Sequence, residues 1–370
     1  MSNVLVTGSE GFLGRNLVVA LRRLPGVQVL SFDQRESAAD LERFASEADV
    51  VYHLAGVNRP ERVEEFEEGN ARLTRILVDI LLRSGRRVPL VLSSSTQAGL
   101  DNPYGRSKLA AEEAVRNYGA MSGARALVYR LPGLFGKWSR PNYNAVVSTF
   151  CHNVARGLPI AIRDPAHEVE LAYVDDVVAE FLRVLDPGWA IPVDPRVEPT
   201  FRVTLGELGR RIEAIRDIRD TLTLPDLSDE LTRRLYPTFL SYLPEDGFAY
   251  QPLVRRDARG SLVELLKSPP FGQIFVSRSN PGIVRGHHYH DSKIEKFCVV
   301  QGRAAICFRH ILGGDVLRYE VRGEEMKVVD IPPGYTHSIE NLGDGEMVTL
   351  FWSSQVFDPE RPDTYAEKVR

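Results

Sequence analysis

Tyr104 and Lys108 stand four residues apart in YGRSK (104–108), a short distance after the serine run Ser93, Ser94 and Ser95. On a helix that spacing puts both side chains on one face, one turn apart. A nearby ammonium favours tyrosinate and lowers a tyrosine from ~10 toward working pH, so that the phenol can exchange a proton with a carbonyl oxygen. The serine run ends PLVLSSS (89–95), a strand-like stretch, and the C-terminal ends of strands are where an open parallel sheet binds ligands. A serine hydroxyl there can hydrogen-bond a substrate oxygen. Ser95 is the expected residue, and Ser94 is the neighbouring alternative.

Gly8, Gly11 and Gly14 follow the apolar run NVLVTG (3–8) and open a helical segment. Small residues at such a junction let the backbone approach a pyrophosphate while helix N-terminal amides face its charge. Phe12 and Leu13 lie in the same loop and are counted with the glycines as cofactor contacts. The spacing is GxxGxxG rather than GxGxxG, so the dinucleotide reading rests on the strand-to-helix context. Asp33 ends the second strand, where a carboxylate accepts hydrogen bonds from an adenosine ribose and repels a 2′-phosphate. Arg35, two residues on, could pair with that phosphate instead. These residues leave NADH and NADPH both open.

A second group lies near the C-terminus in HHYHDSKIE (287–295). His288 and His290 point to one side of a strand, Glu295 follows after a turn, and His337 arrives from a later strand. Three imidazoles and one carboxylate suit a borderline divalent ion such as zinc, nickel, iron or manganese, with zinc the first choice. His287 faces the opposite side and reads as polar surface, and His310 as a lone strand histidine. His53 and His152 receive no role.

These residues need two kinds of scaffold. The first two-thirds of the chain alternates strand-like runs, including VQVLSFD (27–33), DVVYHLAG (49–56) and ALVYRLP (126–132), with helical segments at 14–23 and 104–121. That alternation implies a doubly wound parallel sheet. After Tyr250 short runs such as QIFVSRS (273–279), EKFCVVQGRAAICFRH (295–310), DVLRYEVR (315–322) and MKVVDIPP (326–333) are separated by turn residues, as in an antiparallel barrel or sandwich. The boundary is expected within YLPEDGFAYQP, giving domains at 1–245 and 250–370.

Composition narrows the function classes. At 370 residues the chain exceeds the usual size of one core. Lys plus Arg number 46 against 50 Asp plus Glu without long blocks of one sign, so neither nucleic-acid nor membrane-surface binding is expected. No signal-peptide pattern or membrane span is visible, and a cytoplasmic protein is expected. Cys151, Cys298 and Cys307 lack CxxC spacing and read as buried thiols.

TGSEGFLG (7–14), HLAG (53–56), SSS (93–95) and YGRSK together resemble an extended short-chain dehydrogenase/reductase of the group acting on nucleotide-linked sugars, over about residues 1–243. The resemblance implies a Rossmann-type sheet, Ser95 as the substrate-orienting hydroxyl, Tyr104 as general acid and Lys108 as its electrostatic partner, the last two also touching the cofactor. It places Leu54, Ala55 and Gly56 on the adenosine side and residues 130–133 beside the nicotinamide. Asn70 matches a helix position near the cofactor cleft. Arg140, Asn142 and Arg163 lie where that family holds the nucleotide-sugar diphosphate and base.

The C-terminal half resembles the cupins, an all-β jelly-roll family. Gly282, His288-x-His290, Glu295 and Gly302 match one cupin motif, and Pro332-x-Gly334, His337 and Asn341 the other, with Met326 where a glycine is expected. KVVDIPPGYTH also resembles the nucleotide-sugar epimerases and keto-isomerases built on that barrel. Along essentially its whole length, including the tail QVFDPERPDTY (355–365), the chain resembles the bifunctional reductase–cupin enzymes of capsular polysaccharide synthesis. That resemblance implies a UDP-linked 4-keto-6-deoxy-N-acetylhexosamine substrate, C3 epimerisation in the cupin, and NADPH-dependent C4 reduction in the first domain. NADPH is retained despite Asp33, and a homodimer through the cupin is expected. Lys296 and Tyr335 are the candidate acid and base. The rival readings are a reductase whose cupin is structural, a first domain that recycles its nicotinamide, and a sensor with vestigial sites.

Overall fold

Short apolar runs build the first sheet, and a computed structural model describes residues 2–186, 188–190, 192, 194–257, 260–263, 272–355 and 358–370. Strands β1 (Ser2–Thr7), β2 (Val27–Phe32), β3 (Val50–His53), β4 (Leu90–Ser95) and β5 (Ala126–Leu131) lie in the order β2-β1-β3-β4-β5, parallel at every pairing. Val4 and Val6 enter one apolar cluster and Leu5 another, so the sheet is buried on both faces, as parallel sheets flanked by helices are. The order reverses between β1 and β3. Their C-terminal ends, at Thr7 and His53, therefore flank the crevice where such sheets bind ligands.

The helix Pro103–Ser122 carries the Tyr104–Lys108 pair. The Asn102 side chain caps it by accepting from Gly105 N at 2.7 Å, Pro103 occupies its first turn, and Gly123 ends it at φ +69°. Strands β6 (Gly133–Phe135), β7 (Glu168–Tyr173) and β8 (Thr200–Thr204) form a small separate sheet.

The C-terminal strands are β9 (Ala249–Tyr250), β10 (Val254–Asp257), β11 (Gly260–Val263), β12 (Gln273–Ser279), β13 (Val284–Tyr289), β14 (Glu295–Gln301), β15 (Arg303–His310), β16 (Leu317–Arg322), β17 (Val328–Ile331), β18 (Tyr335–Asn341), β19 (Met347–Ser353) and β20 (Tyr365–Ala366). Ten of them make two five-stranded antiparallel sheets, β12-β19-β14-β17-β9 and β16-β15-β18-β13-β20, and β10 pairs with β11. This is the expected cupin jelly roll. The run 295–310 divides into two strands at Gly302, whose φ of +87° turns the chain.

By contacts the chain divides into two compact units. One holds Met1–Phe135, Asn142–Ala145 and Glu168–Val203, and the other Gly136–Pro141, Val146–His167 and Thr204–Arg370. The second unit thus includes the helices Val146–Val154, Leu205–Thr221 and Glu230–Leu240 along with the barrel. Among the described residues no helix is long and apolar enough to cross a membrane.

Candidate active site and metal centre

The glycine loop is shaped by close approach. Gly8 has φ +69°, and a Cβ there would lie 2.6 Å from Ala55 N; a Cβ on Gly14 would lie 2.0 Å from Gly8 O. Leu54 N donates to Thr7 O at 3.1 Å and Ala55 N to Thr7 Oγ1 at 3.3 Å, which joins the loops after β1 and β3. The helix Phe12–Arg22 begins directly after Gly11. The predicted cofactor residues Gly8, Gly11, Phe12, Leu13, Gly14, Leu54, Ala55 and Gly56 therefore gather around the crevice.

At the far edge of this crevice the Asp33 carboxylate accepts from Glu10 N and Gln34 N, both at 2.8 Å. Glu36 in turn accepts from Asp33 N at 2.7 Å. Arg35 is exposed beside them. The loop after β2 thus holds two carboxylates and one guanidinium within four residues.

Tyr104 is half-buried, with its ring 5.5 Å from that of Phe66. Gly105 brings the helix start against the turn that follows β4: a Cβ there would lie 2.2 Å from Leu100 O. Burial pushes the Tyr104 phenol above its ordinary value, opposed by its hydrogen bond with Ser95. The expected depression by Lys108 does not prevail. Lys108 is itself desolvated and lowered to about 8, against the pull of Glu112, and its Nζ donates to Ser93 O at 3.1 Å.

Ser94 and Ser95 have different partners. Ser94 Oγ donates to Glu112 Oε1 at 2.5 Å, and the same buried carboxylate accepts from Arg130 at 2.8 and 2.7 Å and from Arg116 at 3.0 Å. Ser95 Oγ accepts from Gln97 N at 3.1 Å and shares its hydrogen bond with Tyr104. The guanidinium of Arg130, expected beside the nicotinamide, is held by Glu112.

Asn70 sits in a π-helical segment, Glu67–Arg72, a local departure frequent at functional sites. Its side chain accepts from Val57 N at 2.9 Å and donates to Val57 O and Ser107 Oγ, both at 3.0 Å. It therefore ties the loop after β3 to the helix carrying Lys108. His53, given no role from sequence, is wholly buried with Nδ1 2.7 Å from Thr7 Oγ1 and Nε2 2.9 Å from Thr74 Oγ1. Arg140, Asn142 and Arg163 are exposed; Arg140 and Arg163 belong to the second unit and Asn142 to the first.

In the barrel, one ligand atom from each of His288, His290, Glu295 and His337 lies within 4.8 Å of the others. A bulge makes this possible. Gly286 and His287 both have positive φ, +98° and +58°, and the register shift between Gly286 and His288 sets His288 opposite His337. His290 Nε2 is 3.3 Å and His337 Nε2 3.8 Å from Glu295 Oε2. Neither nitrogen has a well-formed hydrogen bond among the described residues, although both are buried. Buried polar atoms left so are costly, and a cation among them removes the cost.

The shifts of His288, His337 and Glu295 agree with ligation. Burial, reinforced by His290, lowers His288, and burial together with His290 and His288 lowers His337 well below the ordinary histidine value. Burial pushes Glu295 up, but His290 and Lys293 outweigh it and keep the carboxyl below its usual range. Neutral imidazoles and an ionised carboxylate are the forms that bind metal. The donor set fits a divalent ion.

Lys296 points to the other face of β14. Its Nζ lies 2.5 Å from Asp330 Oδ1 and 3.1 Å from Tyr250 Oη. Burial draws Lys296 down, yet Asp330 with Tyr236 and Tyr250 holds the ammonium charged. Tyr335 packs edge-on to Phe248 and His310, and burial raises its phenol to about 12. Both groups are thus held in their protonated forms, which suits an acid and not a base.

Residues 4–192 match the NAD dependent epimerase/dehydratase family and residues 255–365 the polysaccharide biosynthesis C-terminal domain. UDP-2-acetamido-2,6-beta-L-arabino-hexul-4-ose reductase from Pseudomonas aeruginosa is 45% identical over 366 residues, covering 99% of this chain and 98% of that protein. The crystal structure of the capsular polysaccharide assembling protein CapF from Staphylococcus aureus aligns at TM-score 0.68 and 42% identity, over 99% of both chains. UDP-glucuronic acid 4-epimerase from Bacillus cereus, solved with NAD, shares the fold over 58% of this chain and 83% of its own, at TM-score 0.51 and 18% identity. On its match over residues 4–192 and a relative alike along the whole chain, the chain belongs to the NAD dependent epimerase/dehydratase family and carries a polysaccharide biosynthesis C-terminal domain.

Proposed function

We propose that the chain is a bifunctional UDP-sugar enzyme. The cupin, 250–370, epimerises C3 of a UDP-2-acetamido-2,6-dideoxy-4-hexulose, and the reductase domain, 1–245, then reduces the C4 ketone to give UDP-2-acetamido-2,6-dideoxy-L-talose for capsule or O-antigen polysaccharide. The observation that carries this reading is the presence in one chain of the Ser95–Tyr104–Lys108 group and the four-residue His288, His290, Glu295 and His337 cluster. The Pseudomonas relative, named a reductase of a UDP-linked hexulose, supports the substrate class.

A nicotinamide bound along the glycine loop supplies the hydride. Tyr104 gives its proton to the C4 oxygen as the ketone is reduced, and its raised phenol is already in the protonated state this needs. Ser95 orients the same oxygen. Lys108, anchored on Ser93 O, keeps a positive charge beneath the phenol as it gives up its proton. NADPH is the proposed donor; NADH is the second reading, favoured by Asp33 and Glu36 at the ribose position.

Inverting C3 requires loss of its proton, which is acidic only while C4 is a ketone, so epimerisation precedes reduction. A divalent ion held by His288, His290, Glu295 and His337, zinc first, supplies positive charge for an oxyanion. The rival reading, a reductase with a structural barrel, draws on Lys296 being paired with Asp330 on the face of β14 opposite Glu295. A homodimer through the cupin is supported by Ile274 and Val276, exposed on the edge strand β12.

The test is NMR of full-length protein in deuterated water with the UDP-linked 4-keto sugar and no nicotinamide. Deuterium at C3 is expected. No exchange, with NADPH consumed on later addition, leaves the reductase alone.

A further inference from the structure

We infer that Asp363, in the C-terminal tail, is a positioning residue of the metal centre: its carbonyl aims His290 and its carboxylate holds the turn leading to Glu295. This rests on the reading that His288, His290, Glu295 and His337 hold a metal. Asp363 O accepts from His290 Nδ1 at 2.6 Å, across 73 residues of sequence. A histidine that donates from Nδ1 presents the lone pair of Nε2, and that atom is the one turned toward Glu295.

The carboxylate of Asp363 is engaged differently. Oδ1 accepts from Asp291 N at 2.9 Å, and Oδ2 from Ser292 N at 3.0 Å, Lys293 N at 2.5 Å and Ser292 Oγ at 3.0 Å. One side chain thus satisfies three successive amides of the segment between His290 and Glu295. Lys293 Nζ closes the arrangement by donating to Pro362 O at 2.9 Å and Thr364 Oγ1 at 2.7 Å. Strand β20 follows at once and pairs with β13, which carries His288. Asp363 itself has φ +40°, a conformation aspartate tolerates better than most residues and one that the surrounding bonds maintain. It is not among the four ligands, so its effect on the ion is exerted through His290 and the 291–293 turn.

The experiment loads full-length wild type and Asp363→Ala with zinc, measures affinity by competition with a chromophoric chelator, and repeats the loading with cobalt to record its visible spectrum. The melting temperature of each metal-free protein and its NADPH-dependent ketone reduction are measured alongside. Asp363→Ala should bind zinc about 10–100-fold more weakly, with an altered cobalt spectrum, unchanged reductase turnover on the C3-epimerised ketone and a metal-free melting temperature lowered by less than the loss of affinity would require. Asp363→Asn, which keeps one oxygen acceptor, should fall between the two. Unchanged affinity and spectrum in Asp363→Ala overturn the assignment, as does a loss of affinity matched by an equal loss of metal-free stability. No zinc binding in wild type overturns the metal reading itself, a result separate from the other two.

Discussion

Ser94 donates to Glu112 at 2.5 Å, and this one bond separates the two serines at the end of β4. Glu112 is buried and already accepts from Arg130 and Arg116, so Ser94 completes a closed charge network. Removing its hydroxyl leaves a buried carboxylate one donor short. Ser94→Ala should therefore lower stability by about 1–3 kcal/mol while keeping most activity. Ser95→Ala should lower kcat for ketone reduction about 100-fold or more with stability little changed, since on the proposed reading it removes the donor to the reacting oxygen. Urea unfolding and steady-state NADPH oxidation check both, and the reverse pattern would transfer the role to Ser94.

Tyr104→Phe removes the proposed proton donor without disturbing the ring that packs on Phe66. Hydride transfer should fall about 10²–10⁴-fold. Deuterium incorporation at C3, measured on the same protein, should persist at the wild-type rate. Parallel loss of both would mean that one site performs both reactions.

Lys296 and Asp330 form a buried pair on the face of β14 turned away from the metal cluster. Lys296→Met leaves Asp330 with only Arg219, 3.8 Å away, and should cost about 3–5 kcal/mol, whereas Lys296→Met with Asp330→Leu should recover most of that loss. C3 exchange per folded molecule should survive in the double variant. Its disappearance there, with stability restored, would return Lys296 to the chemistry.

Features that depend on neighbouring residues were legible in the sequence. The glycine loop, the Tyr104–Lys108 spacing and the His288–His290 pair each follow from one element, and the structure gathers each as its period requires. What was hidden depends on long-range partners. The buried partner that distinguishes Ser94 from Ser95 is Glu112, 18 residues on. That Lys296 faces away from Glu295 follows from alternation along β14, but its buried partner Asp330, 34 residues on, had no local cue. His290 is oriented by a carbonyl in the tail, whose DPERPDTY pattern resembles a family without indicating why. The bulge at His287 had no cue, because a histidine in the left-handed region is not forecast by alternation.

Asp33 carries the cofactor prediction. Its carboxylate is fixed by Glu10 N and Gln34 N with Glu36 adjoining, so a 2′-phosphate there meets fixed negative charge. A unit charge at about 4 Å near a protein surface is worth roughly 1–4 kcal/mol. Asp33→Asn should therefore raise the affinity for NADPH relative to NADH at least about fivefold, read as dissociation constants by fluorescence titration. An unchanged ratio would mean that Arg35, not Asp33, governs the choice.

His53 gives the fold a defined acid sensitivity. Burial, with a smaller contribution from Lys108, lowers it to about 3, whereas the unfolded chain protonates it near 6.5. Above pH 6.5 both states are neutral and the group is silent. Between 6.5 and 3 only the unfolded state holds the extra proton, so stability falls as pH falls, by about 1.4 kcal/mol per unit. From pH 7 to pH 5 this amounts to a loss of about 2 kcal/mol. His53→Gln cannot titrate and should flatten the stability profile by that amount, whatever its effect at pH 7. Urea unfolding of both proteins at pH 7 and pH 5 measures the difference of differences, and equal slopes would show that His53 is charged within the folded protein.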